Sequence, residues 1–361
     1  MRAETDALAQ RTTNMSNRNT VIFLFAAVVA GVQSIPASAQ TVEEFYKGRQ
    51  INLVIGGGAG GGYDVYFRAL ARHMGKHIPG NPTFIAKNQP AAGGLAAASA
   101  IYTTAEKDGG TIGAFANNVT MDPLFGAVGA RYDPLKLNWI GSIGKQQSVC
   151  ATWHESPVRK IEQAQEREVI VGAAGATSNT ALMPKVLNAL LDTKFRVIAG
   201  YDPAAGLTLS IERREVEGIC GLSWSTMKAS RPHWIKDKLL NVIVQLALQK
   251  LPELADVPAA LDIVKDPHKK RVLTLILLRQ ETGRPVAAPP GVPEDRLAAL
   301  RRAFDATMKD PAFIAEAEKL QLEIEPMTGP EIHKMLAEAF ATPKNIVAEA
   351  AELLTPQAQK K

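Results

Sequence analysis

The 361-residue chain predicts an α/β fold with two lobes, on three observations. Short apolar runs of strand length alternate with longer helix-like segments, the pattern of α/β domains with mostly parallel sheets. Two of those runs end in turns of glycine and other small residues that lead directly into a helix. The two turns lie in separate halves of the chain, which points to two lobes facing one cleft, and the length suits two domains.

The elements follow in order. Arg18, an apolar stretch over 21–32 and the end Pro36-Ala37-Ser38-Ala39 have the make-up of a secretory signal peptide over 1–39. Residues 1–14 read as an upstream extension, with Met15 a second candidate start. The apolar stretch is shorter than the roughly 20 residues of a membrane span, so cleavage is favoured over an uncleaved anchor. Losing Arg2, Arg11, Arg18, Glu4 and Asp6 with the leader takes the net charge from +5 to +4. That mild, dispersed basicity fits a pocket for acidic solutes better than a nucleic-acid surface.

The first strand of the mature chain is Ile51-Asn52-Leu53-Val54-Ile55. It enters the loop Gly56-Gly57-Gly58-Ala59-Gly60-Gly61-Gly62, and a helix starts near Tyr63. Glycine permits left-handed backbone and lets a ligand approach without a Cβ. The unpaired N–H groups and dipole of a helix start favour an anion there. A second strand at Thr83-Phe84-Ile85-Ala86-Lys87 leads to the turn Pro90-Ala91-Ala92-Gly93-Gly94 and an Ala-rich helix. A third, Thr111-Ile112-Gly113-Ala114-Phe115-Ala116, ends at Asn117-Asn118. Ligands collect at such strand ends in open α/β sheets.

The pattern restarts near Gly141-Ser142-Ile143-Gly144. Val149-Cys150-Ala151-Thr152-Trp153 and Glu168-Val169-Ile170-Val171-Gly172 read as strands. The second runs into Ala173-Ala174-Gly175-Ala176-Thr177-Ser178-Asn179 and a helix. Further strands are expected over 195–199, 218–222 and 241–245. After the proline-rich segment 285–293 come amphipathic helices whose starts carry proline, as at Pro311 and Pro330.

In this order the residues resemble the extracytoplasmic solute-binding proteins of the tripartite tricarboxylate transporter group, the Bug or TctC-like family. The blocks that carry the resemblance are Gly60-Gly61-Gly62-Tyr63-Asp64, Asn88-Gln89-Pro90-Ala91-Ala92-Gly93-Gly94, Lys107-Asp108-Gly109-Gly110-Thr111, Gly172 to Ser178, Leu254-Ala255-Asp256-Val257-Pro258 and Ala288-Pro289-Pro290-Gly291-Val292-Pro293. Three positions depart from the family pattern. Gly56-Gly57-Gly58 stands where prolines and aromatics are common, Ala91 where glycine is usual, and Gly200-Tyr201-Asp202 only loosely resembles Tyr-Lys-Gly.

The resemblance implies a two-lobe periplasmic binding protein fold of type II topology with the ligand cleft between the lobes. The first lobe would hold 40–145 and the return 281–361 with its C-terminal helices; 146–280 would form the inserted second lobe. The chain would cross the hinge near 141–149 and near 275–284. The implied function is capture of a small carboxylate in the periplasm and delivery to one small and one large integral membrane subunit, driven by an ion gradient. The expected protein is a monomer, is not an enzyme, and uses no cofactor, metal or nucleic acid. Type II topology would also set the strands of Cys150 and Cys220 side by side. A disulfide and two small buried thiols both remain open.

The expected site is built from peptide N–H groups, each charge-assisted bond to a carboxylate netting roughly 1.5–3 kcal/mol. Ala59, Gly60, Gly61 and Gly62 are expected to hold one carboxylate, with Gly93 and Gly94 shaping the wall. Gly175, Ala176, Thr177 and Ser178 are expected to hold a second polar end, with Asn117 and Thr120 at the rim. Asp64 has two readings: bracing of the loop from the first helical turn, or contact with an amino or hydroxyl group of the ligand.

Competing readings are weaker. Gly56-x-Gly58-x-x-Gly61 matches a dinucleotide fingerprint, but the next strand ends at Lys87-Asn88 and supplies no acid for a ribose. Gly221-Leu222-Ser223-Trp224-Ser225 lacks the last glycine of a hydrolase nucleophile elbow, which leaves a secreted α/β enzyme a distant alternative. His73 and His77 share a helical face without a third metal ligand. A periplasmic sensor that docks on a signalling receptor would use the same cleft.

Overall fold

In the computed structural model, residues 40–175, 178–202 and 206–355 are described, so the expected leader over 1–39, Ala176 and Thr177 lie outside them. The strands are β1 (Gln50–Ile55), β2 (Thr83–Asn88), β3 (Thr111–Ala114), β4 (Asn138–Ser142), β5 (Ser148–Trp153), β6 (Val169–Ala173), β7 (Phe195–Ala199), β8 (Gly218–Ser223), β9 (Leu240–Leu246), β10 (Pro285–Ala288) and β11 (Met327–Thr328). They form two sheets, ordered β11-β4-β10-β3-β1-β2 and β7-β6-β8-β5-β9.

Each sheet is mixed, where mostly parallel sheets were expected. β1 runs parallel to β2 and β3, whereas β10 is antiparallel to β3 and β4. β6 runs parallel to β7 and β8, whereas β5 is antiparallel to β8 and β9. β10 and β5, which run against the parallel strands of their sheets, are each the first strand after a passage of the chain from sheet to sheet. A strand that arrives from the other sheet is not the product of a βαβ crossover and is free of its parallel constraint.

Local sequence accounts for the central elements. In β1 the alternation of period two buries Ile51, Leu53 and Ile55 completely. Helix Gly62–Met74 buries Tyr66, Phe67, Leu70 and Met74, one stripe at helical spacing. Helix Asn179–Leu191 starts at Ser178, whose hydroxyl accepts the N–H of Ala181. β10 is buried along its whole length between β3 and β4.

The passages between sheets, 143–147 and 279–284, lie against each other. Ile143 N–H donates to Arg284 O at 3.2 Å, and Gln146 N–H donates to Gln280 O at 2.8 Å. Arg284 N–H donates to Ser142 Oγ at 3.1 Å, and Ser148 N–H donates to Gln280 Oε1 at 3.0 Å. A Cβ on Gly283 would stand 2.6 Å from the Lys145 carbonyl carbon, so only glycine allows this approach. Helix Gly329–Phe340 packs on β4, while the last helix, Lys344–Leu354, packs on helices Pro267–Leu278 and Asn179–Leu191.

Cys150 on β5 and Cys220 on β8 face each other across an antiparallel pair and are joined as a disulfide. Among the described residues no helix is long and apolar enough to cross a membrane.

Candidate functional site

The loop after β1 is exposed from Gly58 to Gly62. It is braced from behind. Asp64 Oδ2 accepts the N–H of Gly60 at 2.9 Å, and Asp64 Oδ1 accepts the Asn88 amide and Arg68 Nε, each at 2.8 Å. The Asn88 amide also donates to Gly57 O at 2.9 Å. Burial alone would raise the Asp64 carboxyl; the Gly60 N–H, the Asn88 amide and the Arg68 guanidinium outweigh it and hold the group below the usual carboxylate range. Asp64 therefore braces the loop, the first of its two readings, and Arg68 offsets its charge.

This bracing changes which donors are free. The N–H of Gly60 is taken by Asp64, and that of Gly61 points to Gly58 O at 3.3 Å. Among the described residues no protein acceptor takes the N–H groups of Ala59, Gly62, Tyr63 or Asp64. Those four form the donor edge of a helix start, exposed at Ala59 and Gly62.

The turn after β2 closes on the root of this loop. Gly93 and Gly94 have φ of +64° and +92°, and a Cβ on Gly94 would stand 2.7 Å from Gly56 O. Main chain packs on main chain there, which demands glycine and shapes the wall. After β3, Asn117 meets the Tyr63 hydroxyl through its N–H at 3.4 Å and its Oδ1 at 3.5 Å. Thr120 does not lie at the rim as expected. It is fully buried, and its hydroxyl donates to Asn117 O at 2.8 Å and meets Thr282 Oγ1 at 3.0 Å. A threonine one helical turn after Asn117 can reach back to that carbonyl, and the reach buries it against the hinge.

In the second lobe, Ser178 and Gly175 form a closed cap. The Ser178 hydroxyl donates to Gly175 O at 2.7 Å and meets Thr180 Oγ1 at 2.9 Å. Asn179, the first residue of the helix, holds Gly221 O at 2.7 Å and Ser148 Oγ at 3.2 Å through its amide. Its Oδ1 accepts Arg279 Nη2 at 3.0 Å.

Tyr63 links the loop to the hinge. Its hydroxyl donates to Gln146 Oε1 at 2.6 Å. Burial raises the phenol above its usual value, against the opposing field of Arg284 and Arg279. Sequence reasoning missed Gln146, Asn179 and Arg279. The available signal was the run Arg279-Gln280-Glu281-Thr282-Gly283-Arg284, too polar for the buried hinge it occupies.

A groove of about 500 Å³ lies elsewhere, on the outer side of β2, lined by Arg68, Arg72, Lys76, Thr83 and Phe84 among others. Its cations already have acidic partners: Arg68 pairs with Asp64, Arg72 with Glu316 and Lys76 with Asp310. Among the described residues that line it, no cation is left without an acidic partner. His73 meets Glu316 Oε2 at 2.6 Å and His77 meets Asp310 Oδ2 at 3.1 Å. Among the described residues no cluster of His, Cys, Asp and Glu has the make-up of a metal site.

The fold is one that solved periplasmic solute-binding proteins share. A TctC solute-binding protein from Polaromonas superposes with a TM-score of 0.65 at 20% identity, covering 84% of this chain and 99% of that one. The periplasmic binding protein BugD superposes with 0.59 at 20% identity, covering 85% and 97%. A protein of R. palustris solved with adipate superposes with 0.62 at 16% identity, covering 84% and 98%. In sequence, the chain is 34% identical over 139 residues to a UPF0065 protein of Cupriavidus necator, a match spanning 38% of this chain and 40% of that relative. No family model matches the chain. The two-lobe α/β fold and the resemblance to TctC and Bug proteins read from the sequence are thus borne out.

Proposed function

We propose that the chain is a periplasmic binding protein that captures a small carboxylate between its lobes and delivers it to a secondary transporter of the tripartite tricarboxylate type. The observation that carries this reading is the braced loop after β1. It presents the N–H groups of Ala59, Gly62, Tyr63 and Asp64 without protein acceptors, at a strand end beside the hinge. The relative solved with adipate has the same fold, and a second, solved with bound malate, superposes with a TM-score of 0.57 at 17% identity.

In this reading 1–39 is removed on export, and 40–145 with 281–340 closes against 146–280; the last helix, Lys344–Leu354, expected with the first lobe, packs on helices of the second and moves with it. A ligand held by both lobes favours the closed form through its differential contacts. The closed monomer then docks on one small and one large membrane subunit. The chain itself does no chemistry on the solute.

A thermal-shift panel tests it, run on the chain from Gln40 with dicarboxylates, tricarboxylates, acidic amino acids and aromatic carboxylates, and with sugars and cations as controls. A carboxylate at a hundred times its Kd stabilises by about 2.7 kcal/mol and raises Tm by several degrees. Shifts from sugars or cations alone would overturn the reading.

A further inference from the structure

The hinge passage 279–284 puts two guanidinium groups in the interior. Arg279 is 6% exposed and Arg284 is 4% exposed. Arg284 lies 3.6 Å over the Tyr66 ring and donates to Lys145 O at 2.9 Å. Its Nε has no acceptor, and among the described residues no acid pairs with it. Glu281 offers no compensation, because it pairs with Lys145 at 3.4 Å. Among the described residues Asp122 is the one acid paired with Arg279, and its Oδ1 stands 3.9 Å from Nη1, too long for a hydrogen bond. The other Asp122 oxygen takes the Asn118 amide at 2.8 Å.

The balance at the hinge is therefore positive. Both guanidinium groups are buried, and among the described residues the one carboxylate near Arg279, that of half-buried Asp122, meets it only at long range, where Coulomb attraction does not offset desolvation. Burial pushes the Arg279 guanidinium down and the Asp122 carboxyl up, as expected of groups that lack full compensation.

Arg279 also stands between the two strand–turn–helix ends. Asn179, which accepts its Nη2, opens the second-lobe helix. Asp122 belongs to the first lobe, and the Asn118 amide that holds it also donates to Gly93 O at 3.3 Å. Tyr63, the first side chain past the glycine loop, lies within the field of Arg279. Its hydroxyl bonds to Gln146, whose N–H bonds to Gln280, the neighbour of Arg279.

We propose that Arg279 is the charge-selecting residue of the cleft, its guanidinium pairing with a second carboxylate of the ligand while the loop N–H groups hold the first. The site then takes linear dianions in preference to isosteric monoanions. Planar donors suit a bidentate carboxylate, and an incoming anion supplies what Asp122 does not reach. This inference rests on the carboxylate-binding reading and adds a side-chain cation to a site read from the sequence as main chain alone.

The test is calorimetric titration with succinate, glutarate and adipate, each against its monoamide. Wild type should favour the diacid that fits by roughly tenfold or more, and Arg279→Gln should bring the two affinities level. Arg279→Lys should keep part of the preference. Asp122→Asn removes the competing acid and should tighten diacid binding, an effect that a purely structural Arg279 would not produce. This variant also decides the matter if Arg279→Gln does not fold: unchanged or weaker diacid binding in Asp122→Asn overturns the proposal. An unchanged ratio in folded Arg279→Gln overturns it too. Equal binding of diacid and monoamide by wild type defeats the charge-selection idea and leaves carboxylate capture standing; binding of neither defeats both.

Discussion

The turn after β1 and the turn after β6 are alike in sequence and unlike in structure. Both follow a buried strand, both are rich in small residues and both open a helix of the same length, Gly62–Met74 and Asn179–Leu191. The first borrows its bracing from the helix side chain Asp64, from Asn88 and from Arg68, so N–H groups at its tip stay unpaired. The second braces itself through the Ser178 hydroxyl, which bonds within the turn to Gly175 and Ala181. A glycine-rich turn thus becomes a donor site when another part of the chain takes over its support. The second turn instead hands its polar reach to Asn179, which connects it to Arg279.

The lobes also differ in what fixes their strands. The second has the Cys150–Cys220 bridge one residue from Gly221, whose carbonyl holds Asn179. The largest expected effect is therefore on the second lobe. The Cys150→Ser, Cys220→Ser double variant should lose roughly 4 kcal/mol on the chain-entropy model, for a sequence separation of 70. Chemical denaturation with and without reductant measures it, and a midpoint that reductant does not move would remove the bridge from the comparison.

In the first lobe the counterpart is Asp64→Ala. It removes the acceptor of three hydrogen bonds, one of them from a guanidinium, at a position that is 5% exposed. The expected cost is about 2–3 kcal/mol. The pH dependence has a defined sign. The folded-state carboxyl lies below its unfolded value of about 3.9, so its contribution is complete above that pH and fades as pH falls through the lower folded value. Wild type should lose stability over that acid window more steeply than Asp64→Ala; parallel curves would mean that Asp64 does not brace the loop.

How much of this was legible beforehand follows from the range of each interaction. The strand–loop–helix units over 51–74 and 169–191 were readable, because apolar period and glycine runs are local. The antiparallel halves of the sheets were not, since they depend on where the chain returns from the other lobe. Asp64 could be read as a brace from its place in the first helical turn, but its partner Asn88 is 24 residues away. Thr120 looked like a rim hydroxyl because nothing in its neighbourhood signals Thr282, 162 residues later. Arg279 stayed hidden for the same reason: burial of an arginine depends on Asp122 and Asn179, which tertiary folding alone brings to it.

The donor edge itself is tested by Gly62→Val. A Cβ at Gly62 meets nothing within 4 Å, and the residue is not in left-handed backbone, so the fold should stand. The isopropyl group would cover the free N–H groups beside it. Affinity for the carboxylate that shifts Tm in wild type should fall about tenfold, equivalent to ~1.4 kcal/mol. Unchanged affinity in a folded variant would move the ligand off the first turn.

The smallest effect belongs to Ser178→Ala, which sharpens the comparison from the other side. The Ser178 hydroxyl is the cap of helix Asn179–Leu191, accepting from Ala181 N–H at 3.3 Å, and it also holds Gly175 O. Its loss should cost about 1 kcal/mol of stability. If the second turn is self-braced, that loss should appear in the denaturation midpoint while carboxylate affinity stays within about twofold, because the ligand contact proposed on this side is the Arg279 guanidinium. A large fall in affinity at constant stability would give the Ser178 hydroxyl to the ligand instead, and the two turns would then be functional equals after all.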